Sequence, residues 1–383
     1  MQLTLFVIIR TILNTAYRMA YPFLGVFART LGVDLATMSL ALSLRSLSGG
    51  VVPFIISSTD KRGRKFSMLL GVGIFTLSVA LVVFFPTFPA LLISLFFTSL
   101  AKYIFDPAMQ AYLADSTPYG KRGRVIATTE LGWSLAFIIG VPLVGFLIAR
   151  VGWISPFILL TILGLLTLIL LFFLIPNDGT HVGTRDSLRQ NFRLVFDSFP
   201  AKLGLTVTLF SIMGNEIVNL IFGVWLEDSF GLQIAALGAS AVVIGTSELG
   251  GEGLVAFFSD KLGKERAVSY GLTTNIIAAF LLPILGQTTI GAFLGLFLFY
   301  ISFEFTFVSI LPMMTEVMPK ARATLMAFNV TAFSLGRALG APLATFLYQF
   351  GFPVVIAGTI VFNIFALLAL LKLEKYQSFV TQK

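Results

Sequence analysis

The sequence predicts an all-α polytopic membrane protein, with twelve transmembrane helices arranged as two parallel six-helix halves. Three observations carry this prediction. The 383-residue chain is 57% hydrophobic and 11% charged, with a mean hydropathy of +0.95, whereas a soluble domain carries about 25% charged residues. Apolar runs of about 20 residues, long enough to cross a ~30 Å hydrocarbon core as helices, recur along the whole chain. A short charged phrase is written twice, "DKRGRK" from Asp60 to Lys65 and "DKLGKE" from Asp260 to Glu265.

In order, the runs fall at roughly 4–27, 36–57, 66–85, 90–113, 124–149, 153–175, 203–226, 235–257, 266–286, 290–312, 323–347 and 353–373. They lack the dyad alternation of a membrane barrel, so helices are the expected form. The first run has no A-x-A-like site and is too long for a signal-peptide core, so it reads as a retained span. Between the sixth and seventh runs lies the one long polar stretch, "PNDGTHVGTRDSLRQNFR". It marks a linker at 177–202 between an N-terminal bundle, 1–176, and a C-terminal bundle, 203–383. The lone histidine, His181, falls there and reads as a solvated residue. With no cysteine, disulfides, thiolate chemistry and Cys-ligated metals are excluded. No metal or cofactor is expected.

Orientation follows from the basic residues. With the N-terminus inside, the inner loops and C-terminus hold nineteen of the 26 lysines and arginines, against Arg29 and Arg150 in outer loops. This asymmetry places both termini in the cytoplasm. It also accounts for the net charge of +8 without nucleic acid, because a basic loop such as "YGKRGR" at Tyr119–Arg124 flanks a membrane and touches anionic lipid.

Shifting the chain by 200 residues aligns more than the phrase. Gly50 meets Gly250, Asp60 meets Asp260, Lys61 meets Lys261 and Gly63 meets Gly263. Gly71 meets Gly271, Ala127 meets Ala327, Gly140 meets Gly340 and Pro142 meets Pro342. A constant offset across six spans argues for two homologous halves. Six is even, so the halves share one orientation.

These features resemble the major facilitator superfamily over essentially the whole chain, and in particular its drug/proton-antiporter-like bacterial efflux branch. The family signature between the second and third helices reads roughly G-x-x-x-D-[RK]-x-G-[RK]-[RK]. Asp60, Lys61, Gly63, Arg64 and Lys65 match it, with Ile56 in place of the first glycine. The second copy keeps Asp260, Lys261, Gly263 and Lys264, with Ala256 in the glycine place. The resemblance implies a conformational latch. Asp60 would sit near the positive N-terminus of the eleventh helix and Arg64 would pair with Asp115, while Asp260, Gly263, Lys264 and Glu316 form the second copy. A glycine–proline pattern resembling an antiporter signature reads "AFIIGVPLVG" in the fifth span and "GRALGAPLAT" in the eleventh. Gly140, Pro142, Gly340 and Pro342 are its helix-packing and helix-bending positions. Lys102 stands where the family's fourth helix carries a functional arginine, although Phe105 and Asp106 replace the glutamine and glycine that follow.

Charges that no loop can claim are the sharpest functional signal. The spans contain Arg10, Arg18, Arg45, Lys102 and Arg337, with Asp106, Glu130, Glu216, Glu248, Glu252 and Glu304. Eleven charges facing lipid would cost roughly 30 kcal/mol, so they must face protein or a wet cavity. They fall only in the spans that line the central cavity of the superfamily fold, and spans three, six, nine and twelve have none. The expected substrate and proton cavity therefore comprises Arg18, Arg45, Lys102, Asp106, Glu216, Glu248, Glu304 and Arg337. Interhelical ion pairs are the plainer reading, for example Arg18 with Glu216, or Lys102 with Asp106 one turn apart. Desolvation favours the neutral form of a carboxyl, which would let Glu216, Glu248 or Glu304 load and release a proton near physiological pH.

The expectation is a secondary active transporter in the cell inner membrane, monomeric, working by alternating access in proton-coupled efflux of an amphipathic compound or drug. Export or flipping of an organic anion or lipid at Arg18 and Arg45 is the alternative. A sugar or metabolite permease using Asn14, Asn215, Asn219, Asn329 and Trp133 is another. Trp153 and Trp225 sit at span ends and read as interfacial anchors. A membrane enzyme is disfavoured by the absence of H-E-x-x-H, G-x-S-x-G and cysteine, and a pump by the absence of a phosphate-binding loop.

Overall fold

The computed structural model describes residues 2–59, 63–176, 195–318 and 322–381. Within them the chain is helical: α1 Gln2–Arg18, α2 Leu24–Leu31, α3 Leu35–Thr59, α4 Arg64–Phe84, α5 Phe88–Ser116, α6 Tyr119–Leu135, α7 Val141–Arg150 and α8 Ser155–Leu174. Then follow α9 Phe199–Phe230, α10 Ile234–Leu262, α11 Lys264–Leu285, α12 Thr289–Val317, α13 Arg322–Tyr348 and α14 Phe352–Thr381. Among the described residues ten helices are long and apolar enough to cross a membrane, or eleven when Leu24–Leu31 and Leu35–Gly50, bent by 115°, count as one span.

The first expected span, 4–27, is corrected: it is two helices, not one. Pro22 has no N–H for a bond to the Arg18 carbonyl and its ring clashes there, so α1 stops at Arg18. The chain crosses the gap with tighter turns, Tyr21 N–H to Arg18 O at 3.2 Å and Leu24 N–H to Tyr21 O at 3.4 Å. Other prolines start helices, as second residue of α5, α8 and α9, where the missing donor has no intrahelical duty. Gly32 and Gly231 close α2 and α9 in the left-handed conformation (φ 67° and 63°). Asp34 caps α3 by accepting the Thr37 N–H at 2.7 Å. Hydrogen bonds from Thr37 hold the Asp34 carboxyl below its ordinary range, so this cap is intact above that range and is lost as pH falls below it through the lowered value.

The chain divides into two compact units, Met1–Thr184 with Leu232–Gly245, and Arg185–Gly231 with Thr246–Lys383. In the first unit α4 packs along α5 and α8, and α1 along α6. In the second, α11 packs along α12 and α14, and α9 along α13. The pairings are the same in the repeat register, and glycine marks the same close approaches. A Cβ on Gly71 would lie 2.9 Å from the Ala101 carbonyl of α5, and one on Gly271 would lie 2.4 Å from Thr306 Oγ1 of α12. Large apolar side chains cover the outside: Leu77, Phe173 and Ile290 are 74, 76 and 83% exposed. That surface suits hydrocarbon, not water.

The glycine of the repeated phrase has one backbone geometry in both places. Gly63 before α4 has φ 92°, ψ 157°, and Gly263 before α11 has φ 82°, ψ 150°. This region is open essentially to glycine alone. No atom lies within 4 Å of the missing Cβ of Gly263, so the cost of substitution there is conformational. Gly63→Ala and Gly263→Ala are each expected to cost about 1–3 kcal/mol. Thermal unfolding in detergent measures this; unchanged midpoints would contradict the shared geometry.

Candidate functional site

Buried charge is organised separately in each unit. In the first, α6 can approach α1 because residue 132 is glycine: a Cβ there would lie 2.7 Å from the Arg10 Cβ. Asn14 Nδ2 donates to the Gly132 carbonyl at 3.1 Å and fastens the contact. Arg10 then reaches two carboxylates, Asp106 Oδ1 from Nε at 3.2 Å and Glu130 Oε1 from Nη1 at 2.7 Å. Lys102 Nζ meets Asp106 Oδ2 at 2.5 Å, one turn away on α5. Gln110 Nε2 donates to Glu130 Oε1 at 3.4 Å. Two cations and two carboxylates from α1, α5 and α6 thus form one neutral network. Arg10, Glu130 and Gln110 lay outside the expected cavity set. Their signal was the opposite sign of Arg10 and Glu130 within the first and fifth spans.

The other buried arginines of this unit, Arg18 and Arg45, rest on aromatic rings. Arg18 Nη1 donates to the Trp133 carbonyl at 3.0 Å, and its guanidinium lies 4.2 Å from the Trp133 ring centre and 3.4 Å from that of Phe137. Arg45 is fully buried, donating to the Tyr17 carbonyl and the Tyr21 hydroxyl, each at 2.7 Å, with its guanidinium 4.0 Å from the Tyr17 ring centre. A desolvated cation over a ring gains about 2 kcal/mol or more. Tyr17, Tyr21 and Phe137 were not foreseen, since nothing in spacing marks which aromatics face a cation.

In the second unit Glu216 of α9 is wholly buried, with Arg337 Nε of α13 3.6 Å from its Oε2. Arg337 lies over Phe333 at 4.4 Å. Gly340 makes room for the acid, since a Cβ there would come within 3.0 Å of the Glu216 Cβ. Its repeat partner Gly140 makes the corresponding approach to Thr15, where a Cβ would lie 1.9 Å from Oγ1. Pro142 follows a π-helical turn at Ala136–Gly140, which absorbs the missing donor, whereas Pro342 sits inside a continuous α13. Glu248 and Glu304 are both buried. Glu304 packs at Gly251, one turn beyond Glu248, where a Cβ would meet its own at 2.7 Å.

The polar residues weighed for a sugar mostly bond within the protein. Asn219 accepts the Tyr300 hydroxyl at 3.0 Å and Asn329 that of Thr208 at 2.6 Å. Asn215 Nδ2 is buried without a hydrogen-bond partner among the described residues. Trp225 is no interfacial anchor: it is buried, stacked on Phe352 at 3.9 Å and 4°. The ring and its stacking partner gain more from each other than from the headgroup layer. Among the described residues no three metal-ligating side chains converge.

The latch residues divide in the same way. Arg64 at the start of α4 pairs with Asp115 at the end of α5, and Lys264 at the start of α11 pairs with Glu316 at the end of α12. These pairs occupy repeat-equivalent places, each within its own unit. Asp60 lies outside the described residues, and so does the Asp260 side chain, although its backbone continues α10.

Apolar helices that bury charge, repeated in two units, define the architecture of a secondary membrane transporter. The sequence profile of the Major Facilitator Superfamily matches residues 6–321 and 204–379. The chain belongs to that superfamily and is a multi-pass membrane transporter, not an enzyme. It is 23% identical over 335 residues to the MFS-type transporter YbcL of Bacillus subtilis (strain 168), covering 87% of this chain and 85% of that one. It is 22% identical over 381 residues to multidrug resistance protein 2 of the same organism, covering 93% and 92%. A solved bacterial homolog of the human lysosomal transporter Spinster, inward-facing and unoccupied, shares the fold with a TM-score of 0.76 at 15% identity, over 97% of each chain.

Proposed function

We propose that this transporter works by alternating access and couples proton entry to the efflux of a small amphipathic organic compound, from the inner membrane of a bacterium, as a monomer with both termini in the cytoplasm. The observation that carries the reading is the buried Glu216–Arg337 pair. At 3.6 Å it is longer than the 2.7–2.9 Å of a tight charge-assisted bond. A proton on the carboxylate, or a cation beside it, can therefore compete with the guanidinium. Glu248 and Glu304 extend acidic character along α10 and α12. In a desolvated site a carboxyl that exchanges a proton for a cationic guest links the two fluxes through charge. The name of the multidrug resistance relative agrees with a drug-like guest. The latch pairs Arg64–Asp115 and Lys264–Glu316 would brace the loops that open and close as the units rock.

Arg18 and Arg45, seated on aromatic rings, support the second reading, an organic anion or lipid headgroup as cargo. Thermal stabilisation separates the two. The protein and its Arg18→Ala and Glu216→Gln variants are heated with lipophilic cations, organic anions, lysolipids and sugars. A ligand at 100 times its Kd stabilises by about 2.7 kcal/mol. The expected result is a lipophilic-cation shift that survives Arg18→Ala and disappears in Glu216→Gln. An anion or lysolipid shift lost only in Arg18→Ala would replace the first reading with the second.

A further inference from the structure

A groove of about 450 Å³ opens on the second unit between α10, α11 and α12. Leu254 and Leu262 of α10, Tyr270, Thr274 and Leu281 of α11, and Phe305 of α12 are among its walls. Two of its three hydroxyls are spent inside their own helices: Thr274 Oγ1 donates to the Tyr270 carbonyl at 2.9 Å and Ser302 Oγ to that of Leu298 at 2.8 Å. The groove therefore offers a largely apolar wall.

Three features identify the occupant. The walls belong to membrane spans, so the groove opens to hydrocarbon. From Tyr270 to Leu281 it runs eleven residues along α11, about 16 Å at 1.5 Å per residue, close to one leaflet's half of the ~30 Å core. At the end marked by Leu262 and Tyr270 stand two exposed cations. Lys261 adjoins Leu262, and Arg266 precedes Tyr270 by one turn on the same face of α11. Acidic groups stand near that mouth too: Glu316 is taken up by Lys264, Glu265 and Glu374 are half-buried, and the charge of Arg266 acts on Glu374.

We infer that this groove is a phospholipid site: one acyl chain lies between α10, α11 and α12, and the lipid phosphate is held by Lys261 and Arg266. The site is independent of the transported substrate. It makes the lipid a ligand of the helix pair that ends in the second copy of the charged phrase.

Native mass spectrometry of delipidated protein, with phosphatidylglycerol added back, tests the site. Diacylglycerol of the same chains and glycerol phosphate serve as the two half-ligands. Each basic residue near a membrane surface contributes about 1 kcal/mol toward an anionic headgroup. Lys261→Gln with Arg266→Gln should therefore weaken phosphatidylglycerol retention by about tenfold or more. Thr274→Trp, which fills the groove from its wall, should abolish retention while the thermal midpoint holds. Equal retention of diacylglycerol, or retention unchanged in both variants, overturns the inference. Binding of glycerol phosphate as tight as that of the whole lipid overturns the role of the groove. A lipophilic cation displacing the lipid would make the groove a substrate entry path instead.

Discussion

Arg10→Met is expected to cost the fold about 3–5 kcal/mol, the penalty for stripping one partner from a buried ion pair. Arg10 is the hub of the first unit's polar network: its side chain is 5% exposed, and it ties Asp106 on α5 and Glu130 on α6 to α1. Without it Asp106, 14% exposed, keeps only Lys102. Glu130, 41% exposed, can turn toward water, so most of the loss should trace to Asp106. This assignment gives the prediction a second part. Asp106→Asn added to Arg10→Met should deepen the loss, because it takes the carboxylate from the partly buried Lys102, whereas Glu130→Gln should change the stability little. Chemical denaturation in detergent micelles measures all four proteins. A single variant as stable as the parent would show that the network is not the fastening we describe.

The fold was legible because it rests on two coarse signals, apolar run length and a constant offset. Both survive ignorance of packing. Hydropathy averages over a window, so it could not register that Pro22 cuts the first run. Only the backbone chemistry of that one residue does. The offset foresaw Gly71 with Gly271 and Gly140 with Gly340, and the structure gives each pair a matching close approach, against Ala101 and Thr306, and against Thr15 and Glu216. Those partners are displaced by 205 residues in the first case and 201 in the second, which an alignment locked at 200 passes over.

The candidate site was less legible. Membrane energetics flags every charge in a span but not its direction, so Arg10 and Glu130 were seen as charges and not as the centre of a network. A glycine such as Gly132, which lets α6 reach Arg10, carries no chemical label at all. Trp225 shows the same limit from the other side. A tryptophan at a span end is usually an anchor, but here Phe352 is placed to stack on it.

Glu216→Gln should have the largest functional effect. Glutamine keeps the volume beside Gly340, so the packing should be retained, while the thermal midpoint should fall because the buried Arg337 loses its charged partner. The amide cannot take up and release a proton. Alternating access would then continue with substrate on both sides, but no proton gradient could drive it. The decisive measurement is flux of a fluorescent lipophilic cation in proteoliposomes with an imposed pH gradient, parent against Glu216→Gln. The account predicts that gradient-driven accumulation disappears in the variant while exchange of cation for cation persists. Undiminished gradient-driven flux in a folded Glu216→Gln protein would contradict it.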